Sequence, residues 1–362
     1  MTGTIAAERT PVGSRTGMTP QLARAGIEDA VAFALPLTRR FRGTELREGV
    51  LLRIGDRWGE WTPFPEYDDA TAARWLVGAL EAARGEWPAA RRDHVEVNAI
   101  VPALAPESVT ELVTDAVTVD GCTTIKVKVG ERGQAFDSDV ARVSAVRAAL
   151  DDCGAADGRI RIDVNGAWTL EQAIERLAVL DDLAGGLEYA EQPCATLEEM
   201  TSLRSRTHVR LAVDEGVRLA PRLAGGDGDL AERVRAAADV LILKAIPLGG
   251  VSRALAIALA VGLPVTVSGA LDSSVGLSAG LALAGALPDP PLACGFGTGR
   301  LLAADLAGQT AVPVDGRLSV VRHEPDPDSL RAAHQRIGAE RARWWLERLQ
   351  RSLASTSTGD HS

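Results

Sequence analysis

Eight short apolar runs between residues 95 and 297 decide the fold, because they alternate with longer segments that have helical spacing. The runs are VEVNAIV (95–101), TTIKVKV (123–129), RIRIDVN (159–165), GLEYAEQ (186–192), VRLAVDE (209–215), DVLILKA (239–245), LPVTVSG (263–269) and LACGFG (292–297). Buried strands that alternate with helices are typical of parallel βα units. Eight consecutive units predict an α/β fold, a closed (β/α)₈ barrel of the TIM type.

The residues on both sides of this segment predict an α+β capping domain. Alternating runs at 31–37 and 50–54 predict an antiparallel meander, and residues 70–84 predict a helix. A helix expected over residues 329–353 would return to the meander. The predicted divisions are a disordered tail at 1–20, a capping domain at 21–95 and 312–353, a barrel at 96–311 and a second tail at 354–362.

The composition argues against several classes of function. The net charge is −10, from 49 acidic and 39 basic residues, which disfavours nucleic acid or an anionic membrane surface as partner. No apolar stretch approaches the roughly 20 residues that span a bilayer, and the first twenty residues do not resemble a secretory signal. The four cysteines lack CxxC spacing and are expected to be reduced thiols of a cytoplasmic protein. The sequence leaves open whether the protein is a monomer or a homo-oligomer.

Three acidic residues end neighbouring strands of the predicted barrel. They are Asp163 in RIRID, Glu191 in GLEYAE and Asp214 in LAVD. The carboxyl ends of barrel strands form the face that carries the active site, so the three carboxylates should meet there. Together they would repel each other unless a cation neutralised them, and ligation by carboxylates alone favours Mg²⁺, with Mn²⁺ as the alternative. Each acid taken singly could instead cap a helix or pair with a loop cation.

Lysines end two further strands. Lys126 and Lys128 are two residues apart, so both side chains lie on the same face of their strand. Two buried ammonium groups lower each other's pKa, which suits a general base. Lys244 ends the run LILK and is expected to face Lys128 across the barrel. A lysine at a strand end can also extend to solvent, and this alternative is strongest for Lys126.

In their order, these motifs resemble the enolase superfamily, in the subgroup with Lys-x-Lys on the second barrel strand and a lysine on the sixth. The motifs are IKVKVG (125–130), RIDVNGAWT (161–169), EYAEQP (188–193), AVDEG (212–216) and LILKAIPLGG (241–250). The resemblance covers residues 33–306. Three further stretches, WGEWTPFPEYD (58–68), VSGALDSSVGL (267–277) and CGFGTGRLLAADL (294–306), resemble members that dehydrate a cyclohexadiene carboxylate.

The resemblance implies a syn dehydration that begins next to a carboxylate. Lys128 would remove the α proton and later return it to the departing hydroxide, and Lys126 would support Lys128 electrostatically. Mg²⁺ on the three carboxylates would bind the substrate carboxylate and stabilise the enediolate. Lys244 would lie over the opposite face of the ring as a cation.

Further residues are expected around this centre. Asn165 and Arg161 lie two residues from Asp163 and share its face of the strand, next to the metal site. Glu215 is the nearest competing ligand, although strand alternation should point its side chain away from Asp214.

Four residues after the seventh strand are candidates for substrate binding: Ser268, Gly269, Ser273 and Ser274. They could donate to a second carboxylate of a small-molecule substrate where a helix begins, or the serines could only cap that helix. Arg42, in the cap loop, could close over the pocket or lie in solvent.

Three other functions stay open at this point. N-acylamino acid racemases and muconate-type lactonising enzymes use the same five catalytic residues, and racemisation needs one base on each face of the substrate. Dipeptide epimerases of this group usually carry Asp-x-Asp on the eighth strand, where this chain has GFGTG (295–299), and this difference counts against dipeptide epimerisation. A catalytically silent barrel that only binds a ligand would be expected to lack a ligand residue or a lysine, and none is missing here.

Overall fold

This computed structural model describes residues 19–41, 43–219 and 227–357. An antiparallel meander lies near the start of the described chain. After the short helix α1 (Pro20–Arg24) come β1 (Asp29–Phe41), β2 (Thr44–Ile54) and β3 (Arg57–Trp61), paired in that order. Helix α2 (Asp69–Arg84) then packs closely on β3, because a Cβ at Gly59 would lie 1.9 Å from the carbonyl oxygen of Ala79. The predicted meander and helix are confirmed.

Seven parallel strands form the curled sheet of the barrel, in the order of the chain. They are β5 (Ala99–Val101), β6 (Thr124–Lys128), β7 (Arg159–Asp163), β8 (Leu187–Glu191), β9 (Leu211–Val213), β10 (Val240–Leu243) and β11 (Val265–Val267). A short β4 (His94–Glu96) precedes them and pairs antiparallel with β12 (Arg317–Ser319) outside the barrel. The α/β barrel with an N-terminal cap is thus confirmed.

Helices connect the barrel strands. They are α3 (Pro106–Thr118), α4 (Phe136–Asp152), α5 (Leu170–Ala184), α6 (Leu197–Arg204), α7 (Glu215–Arg218), α8 (Asp227–Ala237), α9 (Val251–Val261) and α10 (Ser274–Ala286), followed by a 3₁₀ helix (Gly297–Leu301). None of the helices in the described ranges is both long and apolar enough to cross a bilayer.

The predicted eighth strand is not a regular strand. Residues 292–297 form only two isolated parallel bridges, Val97 with Cys294 and Ser268 with Gly295. The Asn98 amide donates to the Cys294 carbonyl (2.9 Å), and the Gly295 amide donates to the Val267 carbonyl (2.8 Å). This glycine-rich segment therefore closes the barrel between its first and seventh strands without a continuous ladder.

Two helices, not one, return the chain to the meander. The helix predicted over residues 329–353 is divided into α11 (Pro327–Ile337) and α12 (Ala339–Ser357), because Gly338 between them has a φ of 73°. Residues 354–357 belong to α12 and not to a tail. We refer to β1–β3, α1, α2, α11 and α12, with the segment 62–68 that joins β3 to α2, together as the cap. The domain boundaries stay a prediction.

An apolar layer fills the lower part of the barrel. Tyr189, Ala212, Val240 and Ile242 form a buried cluster inside the curled sheet. Side chains of alternating strand residues fill such barrels in layers, so the interior is packed and not a pore. The carboxyl ends of the strands, above this layer, leave space for a ligand.

Candidate active site

A cleft opens at the carboxyl ends of the barrel strands, between the strands and the cap. One side is charged and the other is neutral. The charged side is lined by Lys126, Lys128, Asp163, Asn165 and Lys244, and the neutral side includes Ser268, Gly269, Leu271 and Thr298, with Phe41 and Phe64 from the cap.

The three predicted carboxylates lie at this end of the sheet. Asp163 and Glu191 are the last residues of β7 and β8 and are partners in register. Asp214 follows β9 directly and is the N-cap residue of α7. Each residue is only 1% exposed. Parallel register therefore gathers three buried acids on successive strands.

Lys126 and Lys128 contact these acids from the neighbouring strand. The Lys126 ammonium donates to Asp163 Oδ2 (3.0 Å) and to Glu191 Oε2 (3.1 Å). The Lys128 ammonium donates to Asp163 Oδ2 (2.5 Å) and to Asn165 Oδ1 (2.7 Å). Both amines therefore point into the barrel, as their spacing predicts, and neither extends to solvent.

Lys244 reaches the charged side of the cleft from a strand opposite that of Lys128. It follows β10, three strands away from β7 in the sheet, and donates to Asp214 Oδ2 at 2.5 Å. The other carboxylate oxygen of Asp214 accepts from Arg218 Nε (3.1 Å). The chain contains only three lysines, and all three engage the buried acids.

Burial and neighbouring charge separate the lysines in basicity. Burial lowers the pKa of Lys128, and the nearby Lys126 charge adds to this, while Asp163 opposes it. For Lys126 burial acts in the same direction, but Asp163 and Glu191 outweigh it and raise the pKa. The expectation that both amines would have lowered pKa values is therefore wrong for Lys126, which lies between two carboxylates.

The two acids beside Lys126 differ in the direction of their pKa shifts. Burial, together with Asp163, raises the pKa of Glu191 to about 7, although Lys126 lies beside it. Lysine contacts outweigh burial at Asp163 and hold the pKa of that residue below its usual range. A carboxylate whose pKa stays high next to an ammonium group is in a place where a further cation would be stabilising.

The donor set fits a hard divalent cation in chemistry, but the side chains do not enclose one. Across residues 19–41, 43–219 and 227–357, no three acidic, histidine or cysteine side chains lie close enough to hold a metal ion. The carboxylate oxygens are instead engaged by ammonium and guanidinium groups. Three buried carboxylates on adjacent strands are nevertheless the ligands that Mg²⁺ prefers. The three acids thus lie at the ends of neighbouring strands, as expected, but their side chains do not form a closed set of metal ligands.

Asn165 and Glu215 lie beside this centre. Asn165 adopts a φ of 52°, and its Nδ2 donates to Glu215 Oε1 (3.1 Å). The expectation that Glu215 points away is wrong, because β9 ends at Val213 and the backbone turns into α7. Strand alternation no longer applies there, so the Glu215 side chain turns towards Asn165.

Arg161 lies below the carboxylates and not next to them. Its guanidinium donates to Glu188 Oε2 (2.5 Å), Asn98 Oδ1 (2.9 Å) and the Ala293 carbonyl (2.6 Å). It stacks over Tyr189 in the apolar layer. Arg161 shares the inward face with Asp163, as predicted, but its hydrogen bonds are to the barrel interior, so a place beside the metal site is not supported.

The four candidates for substrate binding separate into two pairs. Ser268 and Gly269 line the cleft. Ser273 caps α10 and contacts Glu60 of the cap, and the Ser274 hydroxyl donates to Asp305 (2.6 Å). These two serines are buried and occupied by those contacts, so the helix-capping interpretation describes them better. Arg42 lies outside the described residues.

Two residues at the site were missed in the sequence. Arg218 is four residues after Asp214, which is the spacing of helical ion pairs, and this signal was available. Thr298 lines the cleft and is 7% exposed, and its hydroxyl has no partner in the described part of the chain. No motif marks Thr298, because its position depends on how the eighth segment closes the barrel.

Two family models match the chain. An "Enolase N-terminal domain-like" model matches residues 32–83, and an "Enolase C-terminal domain-like" model matches residues 108–327. Three curated relatives are named o-succinylbenzoate synthase. The one from Thermobifida fusca is 48% identical over 86% of this chain and 96% of its own length. The one from Mycolicibacterium smegmatis is 46% identical (87% and 92%), and that from Mycobacterium leprae is 44% identical (91% and 93%).

Solved structures share the fold at low identity. The muconate lactonizing enzyme from Pseudomonas fluorescens, complexed with muconolactone, has a TM-score of 0.70 at 20% identity and covers 85% of this chain and 99% of its own. The L-Ala-D/L-Glu epimerase from Bacillus subtilis has a TM-score of 0.68 at 20% identity, with coverages of 83% and 96%. These two enzymes differ in reaction, so they support the fold alone.

Proposed function

The chain belongs to the o-succinylbenzoate synthase family of the enolase superfamily, enzymes of the hydro-lyase type, and we propose that it dehydrates SHCHC (2-succinyl-6-hydroxy-2,4-cyclohexadiene-1-carboxylate) to o-succinylbenzoate for menaquinone biosynthesis. The observation that carries the proposal is that Lys128 and Lys244, from strands four apart in the sheet, line one cleft next to three buried carboxylates.

Lys128 is proposed as the acid and base of the reaction. In its neutral form it takes the proton next to the substrate carboxylate, and as an ammonium group it gives that proton to the departing hydroxide. Water is thus lost from one face of the ring, which makes the dehydration syn. The lowered pKa of Lys128 supports this assignment, since a base must be neutral to act.

Lys244 and Lys126 are proposed to act as fixed charges. Lys244, paired with Asp214, lies against the opposite face of the ring as a cation. Lys126, held between Asp163 and Glu191, keeps the pKa of Lys128 low. Asn165 accepts a hydrogen bond from Lys128 and orients its amine.

Asp163, Glu191 and Asp214 are proposed to hold Mg²⁺, as members of this superfamily generally do, with Mn²⁺ as the alternative. When bound, the ion supplies positive charge that stabilises the negative charge developing on the substrate carboxylate. Ser268 and Gly269, with Thr298, are proposed to contact the succinyl end of the substrate on the neutral side of the cleft.

We further propose that the enzyme works on this small carboxylate in the cytoplasm, with residues 21–95 and 312–353 as cap and 96–311 as barrel. The four free cysteines support a reducing compartment. No oligomeric state is proposed.

The test is the Mg²⁺-dependent change in absorbance on addition of SHCHC, compared with loss of optical rotation of N-succinyl amino acids. We expect turnover of SHCHC that is lost in Lys128→Ala. Racemisation is the second candidate, because two amines, Lys128 and Lys244, reach the cleft from strands on opposite parts of the barrel. Lys244→Arg discriminates between them, since arginine keeps the charge but cannot act as a base. The variant should retain part of the dehydration and lose any racemisation.

If neither activity is found, and Lys128→Ala folds and binds ligands like the unmodified chain, the enzyme proposal fails and a silent binding barrel remains.

A further inference from the structure

A buried guanidinium group joins the barrel acids to the cap. Arg218, in α7, is 4% exposed. Its Nε donates to Asp214 Oδ1 (3.1 Å), its Nη2 donates to Glu215 Oε1 (2.8 Å), and its Nη1 donates to Tyr67 Oη of the cap (3.1 Å). One side chain therefore contacts two carboxylates of the barrel and one hydroxyl group of the cap.

The barrel side of this contact follows from local structure. Asp214 is the N-cap residue of α7, a single helical turn. Residues three and four apart lie on the same face of a helix, so Arg218 reaches both Glu215 and Asp214. Lys244 takes the remaining oxygen of Asp214. The orientation of the Asp214 carboxylate is therefore set by one cation on each of its oxygens.

On the cap side of this contact, several cap residues hold Tyr67 and the Arg218 backbone in place. The Tyr67 ring packs edge-on against Phe64 (5.7 Å between centroids) and lies 6.2 Å from the ring of Trp75. Arg348 of α12 donates to the carbonyl oxygen of Tyr67 (2.5 Å). Arg74 of α2 donates to the carbonyl oxygen of Arg218 (2.8 Å). The Tyr67 hydroxyl is thus presented to Arg218 by a side chain whose ring and backbone carbonyl are both held by other cap residues.

We propose that Arg218 is a positioning residue that couples docking of the cap to the orientation of Asp214, and hence to cation affinity. This inference rests on the proposed role of Asp214 as a ligand. A cap that is docked through Tyr67 holds Arg218, which holds one oxygen of Asp214 and leaves the carboxylate in a single orientation. Coupling of this kind is reciprocal, so a bound cation also stabilises the docked cap.

The coupling also has a consequence for the cleft. Phe64, which packs against Tyr67, lines the cleft opposite the charged side. The same contact that orders the carboxylate therefore orders the apolar wall. A cap that is not docked would leave both the cation site and the substrate site incompletely formed.

The test uses the full-length chain and Mg²⁺ alone, with affinity measured by isothermal titration calorimetry. Tyr67→Phe removes one hydroxyl and keeps the ring in place, so it cuts the link between the cap and the Arg218 guanidinium. Asp214 and Arg218 stay paired, and Arg74 still donates to the Arg218 carbonyl. We expect its Mg²⁺ affinity to fall by about fivefold or more. Arg218→Gln should lose more, and Arg218→Lys should recover part of the loss, since it keeps the charge.

Glu81→Gln is the matched control. Glu81 of α2 accepts from the amides of Val251 and Ser252 at the start of α9, so it joins the cap to the barrel away from Asp214. The control should lower the melting temperature and leave Mg²⁺ affinity within about twofold of the unmodified chain. In addition, the rise in melting temperature produced by Mg²⁺ should be smaller in Tyr67→Phe than in Glu81→Gln.

The outcomes separate the two proposals. If the unmodified chain binds no Mg²⁺, the proposed function fails, and this inference fails with it. If the unmodified chain binds Mg²⁺ and Tyr67→Phe binds it equally well, only this inference is overturned. Equal losses in Tyr67→Phe and Glu81→Gln would also overturn it, because they would indicate general loosening of the cap.

Discussion

Lys128 and Asp163 are partners in register on adjacent strands, and the Lys128 ammonium lies 2.5 Å from the Asp163 carboxylate. The proposed base and a proposed metal ligand therefore share one ion pair. Anything that changes the charge near Asp163 also changes the basicity of Lys128. Under the proposed function, this ion pair would link proton transfer to the occupancy of the proposed cation site.

Replacement of Lys128 by alanine should lower kcat at least about a hundredfold, because the proton acceptor is lost. Mg²⁺ affinity should not weaken, since Asp163 loses only a competing cation. Steady-state kinetics with SHCHC and calorimetric titration with Mg²⁺ measure the two quantities. Lys128→Arg is the control for charge, and it should be as inactive as Lys128→Ala. An active Lys128→Arg would contradict the role of base.

The rate should rise with pH as Lys128 loses its proton. Burial lowers the pKa of this lysine below the ordinary value of 10.5, so the rising limb of kcat/KM should have its midpoint below that value. Because the chain has only three lysines, ¹⁵N-lysine labelling would give three side-chain signals that can be followed directly in an NMR titration. A rising limb that persists in Lys128→Ala would assign it to another group.

Glu60 should make the stability of the fold depend on pH. Burial, with the nearby Asp272, raises the pKa of Glu60 from 4.5 to about 7, against the hydrogen bonds of Ser273 and the charge of Arg47. The folded state then binds a proton that the unfolded state has released, so the free energy of unfolding falls as pH rises from about 4.5 to about 7. The contribution is at most about 3 kcal/mol.

Glu60→Gln removes the titrating group and should flatten this part of the stability curve, measured by urea unfolding at several pH values. Glu45→Gln, at an exposed position of β2, is the matched control and should retain the slope. Parallel curves for the two variants would show that Glu60 does not titrate in this range.

Removal of the Thr298 hydroxyl should weaken substrate binding more than turnover. This hydroxyl is buried, has no partner among the residues that the structure describes, and lines the neutral side of the cleft, so a substrate oxygen is its natural partner. Thr298→Val should raise KM by roughly two- to tenfold with little change in kcat. Thr298→Ser keeps the hydroxyl and should restore KM. An unchanged KM in Thr298→Val would exclude the contact.

Much of the site could be predicted because its residues follow local rules. Asp163, Glu191 and Lys128 each end a strand, and the period of two in a strand determines which side chains face inward. Parallel order then brings the ends of successive strands to one face of the barrel. The strand ends and the inward-facing positions are properties of short segments, so they can be predicted directly from the amino-acid sequence. The functions of these residues stay predictions.

Other features depended on contacts between distant segments. Ser273 is engaged by Glu60, 213 residues earlier in the chain, so its hydroxyl is not available to a substrate. The eighth segment is not a regular strand, and its Gly295 lies so close to Ser268 that a Cβ there would meet the serine hydroxyl at 2.5 Å. No local sequence pattern indicates the contact of Ser273 with Glu60 or the close approach of Gly295 to Ser268.

The sequence by itself thus determined the barrel, the cap and the strand-end positions of the acids and lysines, because periodicity and βα spacing are local. Only the tertiary structure decided which cation each acid contacts. Lys126 lies between Asp163 and Glu191, and both Lys244 and Arg218 contact Asp214. The physical reason is that burial makes every charge depend on its nearest neighbours, and these come from separate strands and, through Tyr67, from the cap.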